Sequence, residues 1–169
     1  MDLVTALAVS IGLLGGAATY LYLSDFFGLG LQIWAAFIAW ASFYHCGGKI
    51  QGFTSSILAN LWGVVWGALT LIAFSNLDFG LPAPIWAGIC VAVGVGLMVL
   101  GAKIPIFSAI PASVYGYAAT VALALLSNSV GSLMEPTLLN PAAIIAMSMF
   151  GGAVFGLISE ALAGAMAKA

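Results

Sequence analysis

Residues 33–74 read IWAAFIAWASFYHCGGKIQGFTSSILANLWGVVWGALTLIAF: two apolar runs separated by a short polar phrase around Gly47, Gly48 and Lys49. Neither run carries a charge between Ile33 and Tyr44 or between Ile50 and Phe74. An amphipathic helix of a soluble domain would show a polar face at 3.6-residue spacing. No such face exists here. A helix needs about twenty apolar residues to cross a hydrocarbon core of roughly 30 Å, and each run approaches that length. The stretch is therefore read as a membrane hairpin, turned at Gly-Gly with a lysine set in water.

The rest of the chain repeats that character. Apolar residues make up 64% of the 169 positions and charged residues 5%, with a mean hydropathy of +1.22. Such a surface offers water no polar shell, which predicts one all-α, polytopic membrane domain over residues 1–169 lying in the lipid bilayer. Six spans are expected, at residues 3–24, 27–46, 52–74, 84–100, 106–127 and 141–167. Asp25, the phrase SNLDFGLPAP and the phrase NSVGSLMEPTLLNP punctuate them with turn formers and charge. Asn140 before Pro141 marks a helix start, because proline there gives up an amide that has no partner anyway. The first run opens MDLVTALAV, with an aspartate where a cleavable leader needs positive charge, and is read as a span.

With six spans, Lys49, Lys103 and Lys168 all fall on one side, opposite Asp25, Asp78 and Glu135. Lysine-bearing short loops stay in the cytoplasm, so both termini are expected there. The phrase Gly-x-Lys-Ile occurs twice, in CGGKIQGF and LGAKIPIF. Aligning residues 33–53 with 85–107 matches Trp34 to Trp86, Lys49 to Lys103 and Phe53 to Phe107, two residues being added in the second copy. This predicts a parallel repeat of helical hairpins, spans 2–3 and 4–5.

Small residues at four-residue spacing bring membrane helices close. Ala8, Gly12 and Gly16 form one such row, Gly63 and Gly67 a second, and Gly152, Gly156 and Gly164 a third. Glu160 stands in the gap of the third row and so faces protein or a cavity. Counted from Pro141 at 1.5 Å per residue, it lies about 28 Å along, near the cytoplasmic boundary. His45 ends span 2 at a similar depth, with Tyr44 beside it, so His45 and Glu160 are a candidate gate at a cytoplasmic mouth; the alternative is that each serves its own helix end or meets interfacial water.

Asn60 shares a helix face with Ser56, Gly63 and Gly67 and either glues helices together or lines a polar path. Pro111 should break span 5 near Phe107 and Ser108, and Ser108, Ser113, Tyr117 and Thr120 would then offer hydroxyls to a cavity. Trp34 and Trp86 suit the outer interface and Tyr44 the inner one, whereas Trp40, Trp62 and Trp66 lie deeper and either pack or narrow a path.

Several chemistries do not fit. One histidine and two cysteines make no metal shell, and Cys46 and Cys90 fall at opposite depths, too far apart to bridge. No phosphate loop or dinucleotide fingerprint occurs, so no cofactor is expected. Three basic residues cannot hold nucleic acid. No catalytic set is brought to one side, which points away from an enzyme.

Three segments carry a family resemblance: QIWAAFIAWASFYHCGGKIQGFTSSILANLWGVVWG, GAKIPIFSAIPASVYGYAATVA and FGGAVFGLISEALAG. In order, they resemble DUF1097, a family of bacterial inner-membrane proteins of unknown function. The resemblance implies an inner-membrane location and no site residues. The scarcity of intramembrane charge itself points to a passive channel or facilitator, a homo-oligomer passing a small, mostly uncharged solute such as an amide, alcohol or aldehyde. Two alternatives remain: a proton-coupled transporter using Glu160 and His45, and a scaffold or partner subunit that moves nothing.

Overall fold

Helices without a water-facing side leave their ends as the places where backbone polarity must be met, and this chain marks those places with Gly, Pro, Asp and Asn. The computed structural model describes residues 1–168, and among them the regular structure is helical, with no strand. Six α-helices follow in order: α1 (Leu3–Leu23), α2 (Ile33–His45), α3 (Lys49–Asn76), α4 (Ala83–Leu100), α5 (Ile110–Leu126) and α6 (Pro141–Lys168). Short 3-10 turns occupy Gly101–Lys103, Pro105–Phe107 and Val130–Met134. Four helices, α1, α3, α4 and α6, are long and apolar enough to cross a membrane.

The other two correct the expected boundaries. α2 begins at Ile33 rather than at residue 27 and has 13 residues, about 20 Å at 1.5 Å per residue. Its expected first turns are a loop instead. Gly28 and Gly30 both sit at φ 62°, and the Asp25 carboxylate accepts from the amides of Leu29 (3.0 Å) and Gly30 (2.9 Å). α5 begins at Ile110, after the 3-10 turn Pro105–Phe107, and has 17 residues. Pro111 therefore stands in its first turn and kinks nothing. A first-turn amide has no carbonyl to reach, so proline there costs no bond.

Two helix starts follow the sequence closely. Asn140 caps α6, its Oδ1 accepting from the Ala142 amide at 2.9 Å. Asp2 caps α1 through the Thr5 amide at 2.9 Å and the Thr5 hydroxyl at 2.6 Å, and these bonds hold its carboxyl below its ordinary pKa.

Cross-helix bonds give the directions. The Gln32 amide donates to Ser148 Oγ (2.9 Å) and the Trp40 indole to Ser159 Oγ (3.0 Å), so α2 and α6 run parallel. Gly63 lies on Ser113 and Gly67 on Tyr117 and Thr120, so α3 and α5 are also parallel. α1 opposes α6, since Tyr22 at its end bonds the Ser148 carbonyl near the start of α6. α4 opposes α3, with Trp62 bonding the Met98 carbonyl while Thr70 abuts Gly94. The turns bearing Lys49 and Lys103 consequently lie toward the same end of the bundle.

Both parallel pairs are sealed by small residues. A side chain on Gly116 would strike the Asn60 carbonyl, one on Gly63 the Ser113 carbonyl, and one on Gly152 the Ala36 backbone. Close backbone approach replaces the hydrophobic drive that lipid cannot supply. Between the pairs sits the core of Ala35, Ala39, Val64, Ala119, Ile145 and Met149. α1 and α4 flank it.

The two Gly-x-Lys-Ile phrases adopt different structures. At the first, the Gly47 amide bonds the Tyr44 carbonyl (3.0 Å) and the Gly48 amide the Phe43 carbonyl (3.1 Å). With Gly47 at φ 93°, this is the left-handed glycine stop of a helix, and α3 starts directly after it. At the second, Gly101 keeps a right-handed φ of −58° and leads into 3-10 turns. The environments also differ: Phe107 stacks on Trp62 at 4.5 Å between ring centres, whereas Phe53 meets Phe150 edge-on at 6.3 Å. The sequence likeness of the hairpins thus does not extend to their turns.

Candidate functional site

The polar residues expected to line a path fall into two sets, those satisfied within the fold and those left without a partner. In the first set, Ser42, Ser56 and Asn60 close a buried ring. Ser56 Oγ donates to Ser42 Oγ (2.9 Å), Ser42 Oγ to Asn60 Oδ1 (3.2 Å), and Asn60 Nδ2 returns to Ser56 Oγ (3.3 Å). All three are at most 1% exposed, so the ring joins α2 to α3 and its bonds are internal. Thr120 bonds the Gly116 carbonyl within its own helix (2.9 Å). Ser108, exposed just before α5 begins, bonds the Pro105 carbonyl (2.8 Å).

The second set lies on α3 and α5. Ser113 Oγ, Tyr117 OH and Trp66 Nε1 are buried atoms without a hydrogen-bond partner among the described residues. Ser113 and Tyr117 are one turn apart on α5, and their backbones lie against Gly63 and Gly67 of α3. Trp66 adjoins Gly67. An unmet buried polar group costs about 1–3 kcal/mol, so three such groups on two packed helices call for an explanation. A bound guest or water offering neutral hydrogen bonds is one.

The surroundings of this seam are aromatic and uncharged. Trp62 packs edge-on against Trp66 at 5.7 Å and stacks on Phe107. On the other side of Trp66 opens a cavity of about 300 Å³ between α3 and α4, lined by Thr70, Trp86, Cys90 and Gly94. No carboxylate or ammonium group lines it. A neutral hydrogen-bonding molecule matches those groups better than an ion, whose desolvation nothing here would offset.

The expected gate is arranged otherwise. Glu160 Oε2 accepts from the Lys49 amide at 2.6 Å. Gly48, which stands in the capping position of α3, supplies no side chain for that amide, so a carboxylate from α6 caps α3 across the bundle. His45 faces α5, with the Tyr115 hydroxyl 3.5 Å from its Nδ1. It borders a cavity of about 280 Å³ with Cys46, Ser55, Ser108 and Pro111, while Glu160 borders a separate one. His45 and Glu160 therefore line different cavities. Shared depth does not fix the direction in which a side chain leaves its helix. Tyr44 bonds Ser159 (2.7 Å), which also receives the Trp40 indole.

Ser42, Ser148 and Ser159 did not stand out in the sequence, yet each is fully buried and joins two helices. The signal available was indirect: a buried Asn60 needs partners, and Ser42 is the only serine or threonine in span 2. No curated protein and no solved structure matches the chain. A family model described as a protein of unknown function, DUF1097, matches residues 8–164, and the chain belongs to that family.

Proposed function

We propose that this protein is a six-span facilitator in the bacterial inner membrane, with both termini cytoplasmic, that passes a small and mostly uncharged polar solute. The single observation carrying the solute reading is the set of three neutral buried groups without partners, Ser113 Oγ, Tyr117 OH and Trp66 Nε1. They offer a hydroxyl, a phenol and an indole N–H, which suit an amide, alcohol or aldehyde and give an ion no countercharge. Six spans tolerate a short α2 because its leading amide, at Gln32, finds the Ser148 hydroxyl of α6 rather than lipid. The homo-oligomer rests on Gly12 and Gly16, which point outward with nothing within 4 Å and leave a smooth strip for a second copy.

Liposome swelling with urea, acetamide, glycerol and acetaldehyde tests the proposal. Wild-type protein should raise permeability to at least one of them, and Tyr117→Phe and Ser113→Ala should each change that rate several-fold. Permeability no greater than that of empty vesicles for every solute would refute it. The scaffold reading draws on the closed ring of Ser42, Ser56 and Asn60, which keeps its bonds within the protein. It predicts no flux and co-purification of a second protein. Proton coupling through Glu160 predicts that Glu160→Gln abolishes flux, whereas a carboxylate engaged as the cap of α3 predicts that flux persists.

A further inference from the structure

Another cavity lies away from the α3–α5 seam, at the end of the bundle that carries Lys49. Its volume is about 710 Å³. The lining is mostly apolar, with Leu3 and Leu7 of α1 and Leu157 of α6; the larger polar side chains on it are Tyr44, whose hydroxyl is bonded to Ser159, and the rim charges Lys49 and Glu160. From Leu157 to Ala165 the α6 side runs about 12 Å along the helix axis, the reach of roughly ten methylene groups.

The two rim charges do not neutralise each other. Glu160 Oε2 is bonded to the backbone amide of Lys49, and among the described residues the Lys49 ammonium forms no ion pair. The second carboxylate oxygen, Oε1, lies over Gly48, where the missing side chain leaves it room. An apolar trough therefore opens beside Lys49 and Glu160, both of which line it. A purely anionic head would meet Glu160, and a purely cationic one would meet Lys49. A head carrying both signs in sequence matches both.

We propose that this groove holds a zwitterionic phospholipid whose head ends in a primary amine. Its phosphate sits at the Lys49 ammonium, its amine donates to Glu160, and one acyl chain lies along Leu7 and Leu157. A quaternary ammonium head has no N–H to donate, so it forfeits the contact with Glu160. The proposal rests on the membrane reading of the chain and is independent of any solute that crosses it.

Native mass spectrometry of the full chain, released from mixed micelles holding equal amounts of phosphatidylethanolamine, phosphatidylcholine and phosphatidylglycerol, tests this. Wild-type protein should retain phosphatidylethanolamine about five-fold over phosphatidylcholine, the worth of one partly exposed charged contact. Glu160→Gln, whose amide oxygen still accepts from the Lys49 amide, should erase that preference while the protein stays folded. Lys49→Gln should lower retention of every phospholipid, and Lys103→Gln, outside the groove, should change none. Gly164→Leu supplies an independent arm. A Cβ there meets nothing within 4 Å and Gly164 lines the groove, so the leucine side chain should occupy the groove and displace the lipid. Equal retention of the three lipids, a preference for phosphatidylglycerol, or a preference that survives Glu160→Gln would overturn the proposal. Displacement by free phosphoethanolamine at low concentration would also count against it, by showing a head-group site with no use for the trough.

Discussion

Glu160 shows how one residue changes meaning between sequence and structure. Its place in the row Gly152, Gly156, Glu160, Gly164 implies that it faces another helix or a cavity, and Gly152 and Gly156 do face α2, at Ala36 and Phe43, while Glu160 borders a cavity. What the row could not reveal is the partner. The acceptor it meets is a backbone amide, and backbone amides leave no trace in composition. Glu160→Ala should lower stability by about 1 kcal/mol, the usual worth of a lost helix cap, while Glu160→Gln should lose distinctly less because an acceptor remains. Unfolding in mixed micelles followed by circular dichroism measures both, and equal losses would show that charge rather than the hydrogen bond matters. Gly48→Ala should be worse than either. Its φ is 68°, and the new carbon would fall 2.5 Å from Glu160 Oε1.

At the scale of the helices, the four long apolar segments were legible because length and uninterrupted hydropathy are properties of sequence alone. Segments α2 and α5 were misjudged at their starts for a common reason. Apolar residues such as Phe26, Phe27 and Ile106 can coat a loop as readily as a helix when lipid or protein covers them, so apolar content alone overran the glycine pair and the prolines. The α3–α5 seam was half visible. Gly63 and Gly67 announced it from one side, but its counterpart on α5 is Ser113, Gly116 and Thr120, a mixed row with a single glycine. Gly116→Ala should destabilise by about 3 kcal/mol or more, since the helices must part for one methyl group. Gly12→Ala, whose site is open within 4 Å, should instead leave the single subunit unchanged or up to about 1 kcal/mol more stable. Thermal unfolding separates the two, and size-exclusion chromatography shows whether Gly12→Ala alters assembly. A Gly116→Ala variant as stable as wild type would contradict the seam.

For the molecule as a whole, the lysine pattern and the helix directions point the same way. Cysteine introduced at position 49 and at position 103 in a background lacking Cys46 and Cys90 should react with an impermeant maleimide from the same face, and only after the cytoplasmic side is opened. Labelling of the two positions from opposite faces would dismantle the six-span arrangement and the proposed solute path with it. The pairing of α2 with α6 carries a consequence for biogenesis. Helices form in the order of synthesis, yet α2 reaches its main partner only after α3, α4, α5 and α6 have been made. Until then the nascent protein holds a short early helix whose Trp40 indole and Gln32 amide wait for Ser159 and Ser148. Synthesis of α6, rather than insertion of the first hairpin, is therefore the step that allows α2 to reach its native contacts.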